Sequence, residues 1–192
     1  PLMIAAFNNH DLIVKLLLDN GSEINRINEY GANALFYAIA NGNTETAKML
    51  LENGGDANIS ATYGTYGNIT PLALASSLGD TDLISSLLIG KANINHIMNN
   101  GRTALIWAAL SSKSEAIATL INARANLNIA DNDGKTALMF AAENGDYNSV
   151  EYLINAGANI NTVDRFSKNA LMYAMENGNL DIVDLIARTS LE

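Results

Sequence analysis

The chain of 192 residues contains no cysteine, two prolines and two histidines, and aromatic residues make up only 6% of it. Without thiols there are no disulfides, no thiolate metal sites and no cysteine nucleophile, and the redox compartment stays open. Basic residues are also scarce: 11 Lys and Arg stand against 20 Asp and Glu, a formal net charge of -9. A surface that neutralises phosphates needs clustered Lys and Arg, so nucleic acid is not an expected partner. The same deficit argues against docking on an anionic membrane. No apolar run approaches the ~20 residues of a membrane span, so direct membrane insertion is not expected either. What the chain does have is apolar residues, 48% of the total, enough for a folded core. It also has 27 asparagines. A residue that favours turns and tolerates positive φ, used this often, implies many turns.

The asparagines mark a repeat. Asn25, Asn58, Asn95, Asn128 and Asn161 are spaced 33, 37, 33 and 33 residues apart. A leucine follows each at a fixed distance, with four extra residues in the third unit: Leu35, Leu72, Leu105, Leu138 and Leu171. Leu2 fits the same frame. Three residues beyond each leucine stands Ala5, Ala38, Ala75, Ala108, Ala141 or Ala174. The repeats are 1–25 (partial), 26–58, 59–95, 96–128, 129–161 and 162–192, one array spanning the chain.

Each unit reads as a turn and two short helices. Asn99-Asn100-Gly101 and Asp131-Asn132-Asp133-Gly134 are turn signals. Thr103 and Thr136 are placed to cap the first helix. Gly42, Gly79, Gly145 and Gly178 close that helix, and Gly21, Gly54 and Gly157 close the second. Two helices of two or three turns cannot bury an apolar face alone, so the units must stack.

These residues resemble the ankyrin repeat: a period of 33, Ile69-Thr70-Pro71-Leu72 or Gly101-Arg102-Thr103-Ala104-Leu105 near the start of a unit, then alanines on the first helix and a glycine. The resemblance implies an all-α helical repeat solenoid with short β-hairpin fingers at right angles to paired helices, and first helices lining a concave groove. There are departures. Ala34, Ala104, Ala137 and Ala170 stand in place of proline, and Met3, Phe36, Ala73, Ile106, Met139 and Met172 in place of the usual histidine. Ser167, Lys91 and Arg124 replace glycines at turn and helix ends, each weakening a cap by ~0.5–1 kcal/mol.

No catalytic, cofactor or metal constellation is found. His10 and His96 lie far apart in sequence and have no cysteine to complete a zinc set. Asp131-x-Asp133 hints at a calcium loop, but the position of its closing glutamate is Ala142, which leaves a hairpin turn as the reading. Asn58-Ile59-Ser60 and Asn68-Ile69-Thr70 are formal glycosylation sequons, expected by accident in so asparagine-rich a chain.

What remains is surface. Stepping 100° per residue along the first helix puts Leu35, Ala38 and Ile39 on a core side and Tyr37 with Ala40 on the other. The ladder equivalent to Tyr37 reads Ile4, Tyr37, Leu74, Trp107, Phe140, Tyr173, and Leu78 and Leu110 lie one turn later. Such a ladder either staples adjacent repeats or forms an aromatic binding strip, with Trp107 and its apolar neighbours resembling a hot spot. The four extra residues fall in a finger containing Tyr63 and Tyr66, either a tolerated insertion or a contact loop. Repeats 5 and 6 are acidic and are expected to prefer a basic ligand.

The resemblance implies a monomeric, non-enzymatic module that binds an unidentified partner protein, with Tyr37, Tyr63, Tyr66, Leu74, Leu78, Trp107, Leu110, Phe140 and Tyr173 as candidate contacts. The alternative is a regulatory or targeting segment of a larger enzyme or channel. Composition assigns no compartment; the cytoplasm is the one favoured. The chain begins at Pro1 inside a helical pattern and ends in Leu191-Glu192, a pair that could be vector-encoded, so further sequence upstream of Pro1, in the form of more repeats, is an expectation.

Overall fold

The computed structural model describes residues 1–190, apart from the side chain of Tyr66; Leu191 and Glu192 lie outside the described residues. The chain divides into two compact units, Pro1–Ala75 with Asp82–Asn93, and Ser76–Thr81 with Ile94–Glu192. The first unit holds α1 (Leu2–Phe7), α2 (Asp11–Asp19), α3 (Ala34–Ala40), α4 (Thr44–Glu52), the strands β1 (Ala61–Tyr63) and β2 (Gly67–Ile69), the start of α5 (Pro71–Leu78) and nearly all of α6 (Thr81–Ile89). The second holds the end of α5, then α7 (Ala104–Leu110), α8 (Ser114–Asn122), α9 (Ala137–Asn144), α10 (Tyr147–Asn155), α11 (Ala170–Glu176) and α12 (Leu180–Thr189).

Within each unit the odd-numbered helices form one layer and the even-numbered helices another. α1 packs on α2 and α3, and α3 on α4; in the second unit α9 lies between α7 and α11, and α10 between α8 and α12. The predicted core faces are buried: Leu35, Ala38 and Ile39 in α3, Leu105 and Ala108 in α7, Leu138 and Ala141 in α9. The two-sided reading of the first helix is nevertheless too simple. Every residue of α7 from Ala104 to Ala109 is buried, leaving only Leu110 partly open. This seven-residue helix packs against its partner α8 and its neighbour α9, and little more than its C-terminal end reaches solvent. Phe36, Ile106 and Met139, the residues that stand where the family has histidine, are buried in consequence.

The repeat-marking asparagines have a shared role. Asn25 Oδ1 accepts the backbone N–H of Asp56 at 2.7 Å and its Nδ2 donates to Gly54 O at 3.0 Å. Asn58 does the same with Asn93 and Lys91. In the second unit Asn95 accepts from Asn126, and Asn128 from Asn159. Each side-chain amide ties the loop after one second helix to the loop after the next, satisfying backbone groups that helix ends leave open.

Caps follow the expectation with one correction. Thr103 Oγ1 accepts from Ile106 N at 3.4 Å, and Asn33 and Asn169 do likewise for Phe36 and Met172. Thr136 makes no side-chain cap bond; its backbone pairs with Ala130 in an isolated bridge instead. Among the described residues the only two-stranded pairing is β1 with β2, where the inserted residues extend the finger; the other fingers are tight turns.

Candidate protein-binding surface

The fingers are built by one device. Asp131 Oδ1 accepts the backbone N–H groups of Asp133 at 3.0 Å and Lys135 at 2.9 Å. Asp164 accepts from Phe166 and Lys168, and Asn28 from Tyr30 and Ala32, in the same pattern. Of the two aspartates that hinted at a calcium loop, Asp131 is therefore the turn acceptor, and Asp133 pairs with Arg165. Successive fingers are stitched by backbone bonds, Thr62 N to Tyr30 O in the first unit, and Asn132 N to Asn100 O and Arg165 N to Asp133 O in the second. The approach is close: a Cβ on Gly101 would lie 2.4 Å from Asn132 N.

The aromatic ladder sits at the base of these fingers. Asn28 Nδ2 donates to Tyr37 Oη at 2.8 Å, and Tyr173 Oη donates to Asp164 Oδ2 at 2.5 Å, so a ring on the first helix is fastened to its own finger. In the first unit Tyr37 also meets Phe7 edge-on, and Tyr63 meets Phe36 edge-on. In the second unit the rings alternate with cations. Arg102 lies 5.1 Å from the ring centre of Trp107 and 5.5 Å from that of Phe140. Lys135 lies 4.6 Å from Phe140 and 4.1 Å from Tyr173, and Lys168 lies 5.6 Å from Tyr173. Each lysine is held in place by a carboxylate, Lys135 by Glu143 at 2.5 Å and Lys168 by Glu176 at 2.7 Å. Arg102 pairs with Asp131 at 3.5 Å. A cation over a ring face, largely shielded from water, is favourable by ~1–2 kcal/mol.

This arrangement decides how the ladder is used in the free protein. Leu74, Trp107, Phe140 and Tyr173 are 1%, 5%, 5% and 7% exposed. The open aromatic strip is thus not what the described structure presents; cations, carboxylates and finger backbone cover the rings. Tyr37, Tyr63 and Leu110 are half-buried and Leu78 is 46% exposed. The side chain of Tyr66 lies outside the described residues. Sequence reasoning missed Arg102, Lys135 and Lys168 as partners of the rings. The signal was present: each stands five residues before its aromatic, and the corresponding residues Ala32 and Ile69 precede Tyr37 and Leu74.

Four of the five acids of repeat 5 are engaged as well. Besides Asp131 and Glu143, Asp133 pairs with Arg165 at 2.7 Å and Asp146 caps α10 through Ser149 N. At Asp164 burial pushes the carboxyl up, but the bonds it accepts from Tyr173 and from the Lys168 and Phe166 backbone, with the charge of Lys135, outweigh burial and hold it below the usual range. Burial, then the bond to Asp164 and that carboxylate's charge, push the Tyr173 phenol well above its ordinary value. Among the described residues no three His, Asp or Glu side chains gather as a metal would require. None of the described helices is long and apolar enough to cross a membrane.

The family model for ankyrin repeats (three copies) matches residues 1–63, 56–131, 72–164 and 120–191, and this chain belongs to the ankyrin repeat family. A crystal structure of an ankyrin repeat domain from Acinetobacter baumannii AYE is similar to it at 32% sequence identity, with a TM-score of 0.89 over 99% of this chain and 97% of that one. No curated protein matches. The fold is an all-α ankyrin-type repeat solenoid with short fingers, a class whose members generally serve protein–protein interaction.

Proposed function

We propose that the chain is a non-catalytic module that binds a partner protein through the groove side of its first helices and through its fingers, as a monomer and as one array of the six repeats bounded above. The observation that carries this is the placement of apolar side chains where an ankyrin groove meets its ligands: Leu78 is exposed at the end of α5, and Leu110 is the one residue of α7 that is not buried by the stack. The contacting residues are Leu78 and Leu110 in the second unit, and Tyr37 and Tyr63, with Tyr66 in the same finger, in the first. Leu74, buried in the first unit, and Trp107, Phe140 and Tyr173, buried in the second, support the helices that carry these contacts.

The test is capture of partners on the intact chain, repeated with Leu78→Asp, Leu110→Asp and Tyr63→Ala. A contact at the centre of an interface is expected to cost ~2 kcal/mol or more, roughly a thirtyfold weaker Kd, with melting nearly unchanged. Binding that survives all three substitutions would overturn the assignment of this surface.

A further inference from the structure

Six asparagines stand directly before a glycine: Asn20, Asn41, Asn53, Asn100, Asn144 and Asn177. In a flexible chain this pair is reactive. The glycine nitrogen, unhindered by a side chain, attacks the asparagine Cγ. A C–N bond forms, Nδ2 leaves as ammonia with the glycine proton, and a five-membered imide remains. Water opens the imide at either carbonyl to give aspartate or isoaspartate, with one added negative charge. The attack requires a free glycine N–H and a backbone turned so that the glycine nitrogen eclipses Cβ.

The fold withholds both. Each of the six glycine N–H groups donates to the carbonyl three residues earlier, from Gly101 to Met98 at 2.8 Å up to Gly145 to Ala142 at 3.4 Å, the longest of the six. Asn20, Asn41, Asn53 and Asn177 have ψ of 18°, 9°, 13° and 1°, far from the eclipsed arrangement. Asn144 is the last residue of α9, in helical backbone. Its amide also does something that those of Asn20, Asn53 and Asn177 do not. They donate within their own helix, to Leu16, Met49 and Tyr173. Asn144 Nδ2 instead reaches back to the preceding repeat and donates to Ala109 O and Leu110 O, both at 3.1 Å, two carbonyls at the end of α7.

We propose that Asn144–Gly145 is a latent deamidation site, silenced by the fold and opened when repeat 5 locally unfolds, and that its conversion uncouples α9 from α7. The carboxylate formed has no proton to donate and faces two carbonyl oxygens. It also stands at the C-terminus of α9, the negative end of the helix, beside Glu143. Isoaspartate would in addition lengthen the backbone inside the last turn. A reversible local opening thereby becomes a permanent loss of contact between two repeats. Asn41, which bonds to Phe7 O at 2.6 Å in the first unit, is the nearest parallel, but Gly42 there is held more tightly, at 3.0 Å.

The whole chain is incubated at mildly alkaline pH with and without urea, and each Asn-Gly peptide is followed by mass. Asn144 is expected to convert more slowly in the native protein, by on the order of tenfold or more, because reaction must wait for opening. Asn144→Asp, which imitates the product, is expected to lower Tm by roughly 4–8 °C, the loss of two hydrogen bonds in a chain of this size. Asn20→Asp is expected to lower it by less than half as much. If Asn144→Asp does not fold, Asn144→Gln serves instead: it keeps the donor group, and is expected to fold and to leave that peptide unmodified in urea. Equal rates at Asn144 with and without urea, or an Asn144→Asp protein that melts with the wild type, would overturn the proposal.

Discussion

Among the described residues, five other than glycine occupy the left-handed region: Asn9, Lys91, Ser112, Arg124 and Ser167, with φ between 51° and 65°. Each stands where another repeat uses glycine, such as Gly21, Gly42 or Gly134, so the backbone shape is kept and the side chain carries the strain. Arg124→Gly, at an exposed site, is expected to raise stability by up to about 1 kcal/mol, measurable as a shift of the urea midpoint with unchanged slope; an unchanged or lower midpoint would mean that the arginine makes a compensating contact. A second residue-scale expectation concerns pH. The lowered Asp164 contributes stability that is present above its unfolded value near ~4 and lost as pH falls through its folded value. The raised Tyr173 contributes stability that is present below its unfolded value near ~10 and lost as pH climbs beyond it. Asp164→Asn should therefore flatten the acid arm of the stability profile, and Tyr173→Phe the alkaline arm. Ultraviolet titration of the seven tyrosines should show one ionising after the others; a uniform titration would contradict the link between finger and helix.

At the scale of the element, α7 shows why the first helices tolerate so little change. Ala108 is fully buried in α7, which packs against α8 and α9. Ala108→Leu is expected to overpack and cost ~1–3 kcal/mol, read from denaturant unfolding. The interleaved cations make the companion case. Lys135 touches rings of two repeats and a carboxylate, so Lys135→Met keeps the aliphatic stem and removes the charge. It also strands Glu143. The expected cost is ~1–2 kcal/mol, smaller in Lys135→Arg, which retains a cation over the rings. A Lys135→Met protein as stable as the wild type would reduce the ladder to apolar packing.

For the whole molecule, stability is carried by neighbour contacts, so it need not be uniform. α1 has six residues, only Leu2, Ala5 and Ala6 buried, and no side-chain cap bond. In α2 only Val14 is buried, while Leu12 and Leu16 are exposed. Hydrogen exchange is expected to be fastest in α1 and α2 and slowest in α7 and α9, whose residues are covered on nearly every side. Slower exchange in α1 than in α9 would contradict a stack held by burial between repeats.

The repeat, the two-helix unit and the core alanines were legible in the sequence because each depends on local spacing: a 33-residue period, a three-residue step along a helix, a glycine at its end. The role of the marking asparagines was not, since their partners lie about one repeat away and only stacking brings Asn25 to Asp56 or Asn128 to Asn159. The fate of the aromatic ladder was decided in the same way. A helical wheel places Trp107 and Phe140 opposite the core because it knows only one helix. It does not contain the finger that folds over the helix base, nor the Arg102 and Lys135 side chains that a ring's own repeat and the preceding one bring against it. Spacing along the chain fixes which residues share a face; whether that face meets water depends on what other segments are folded over it, and that was settled by the tertiary structure alone.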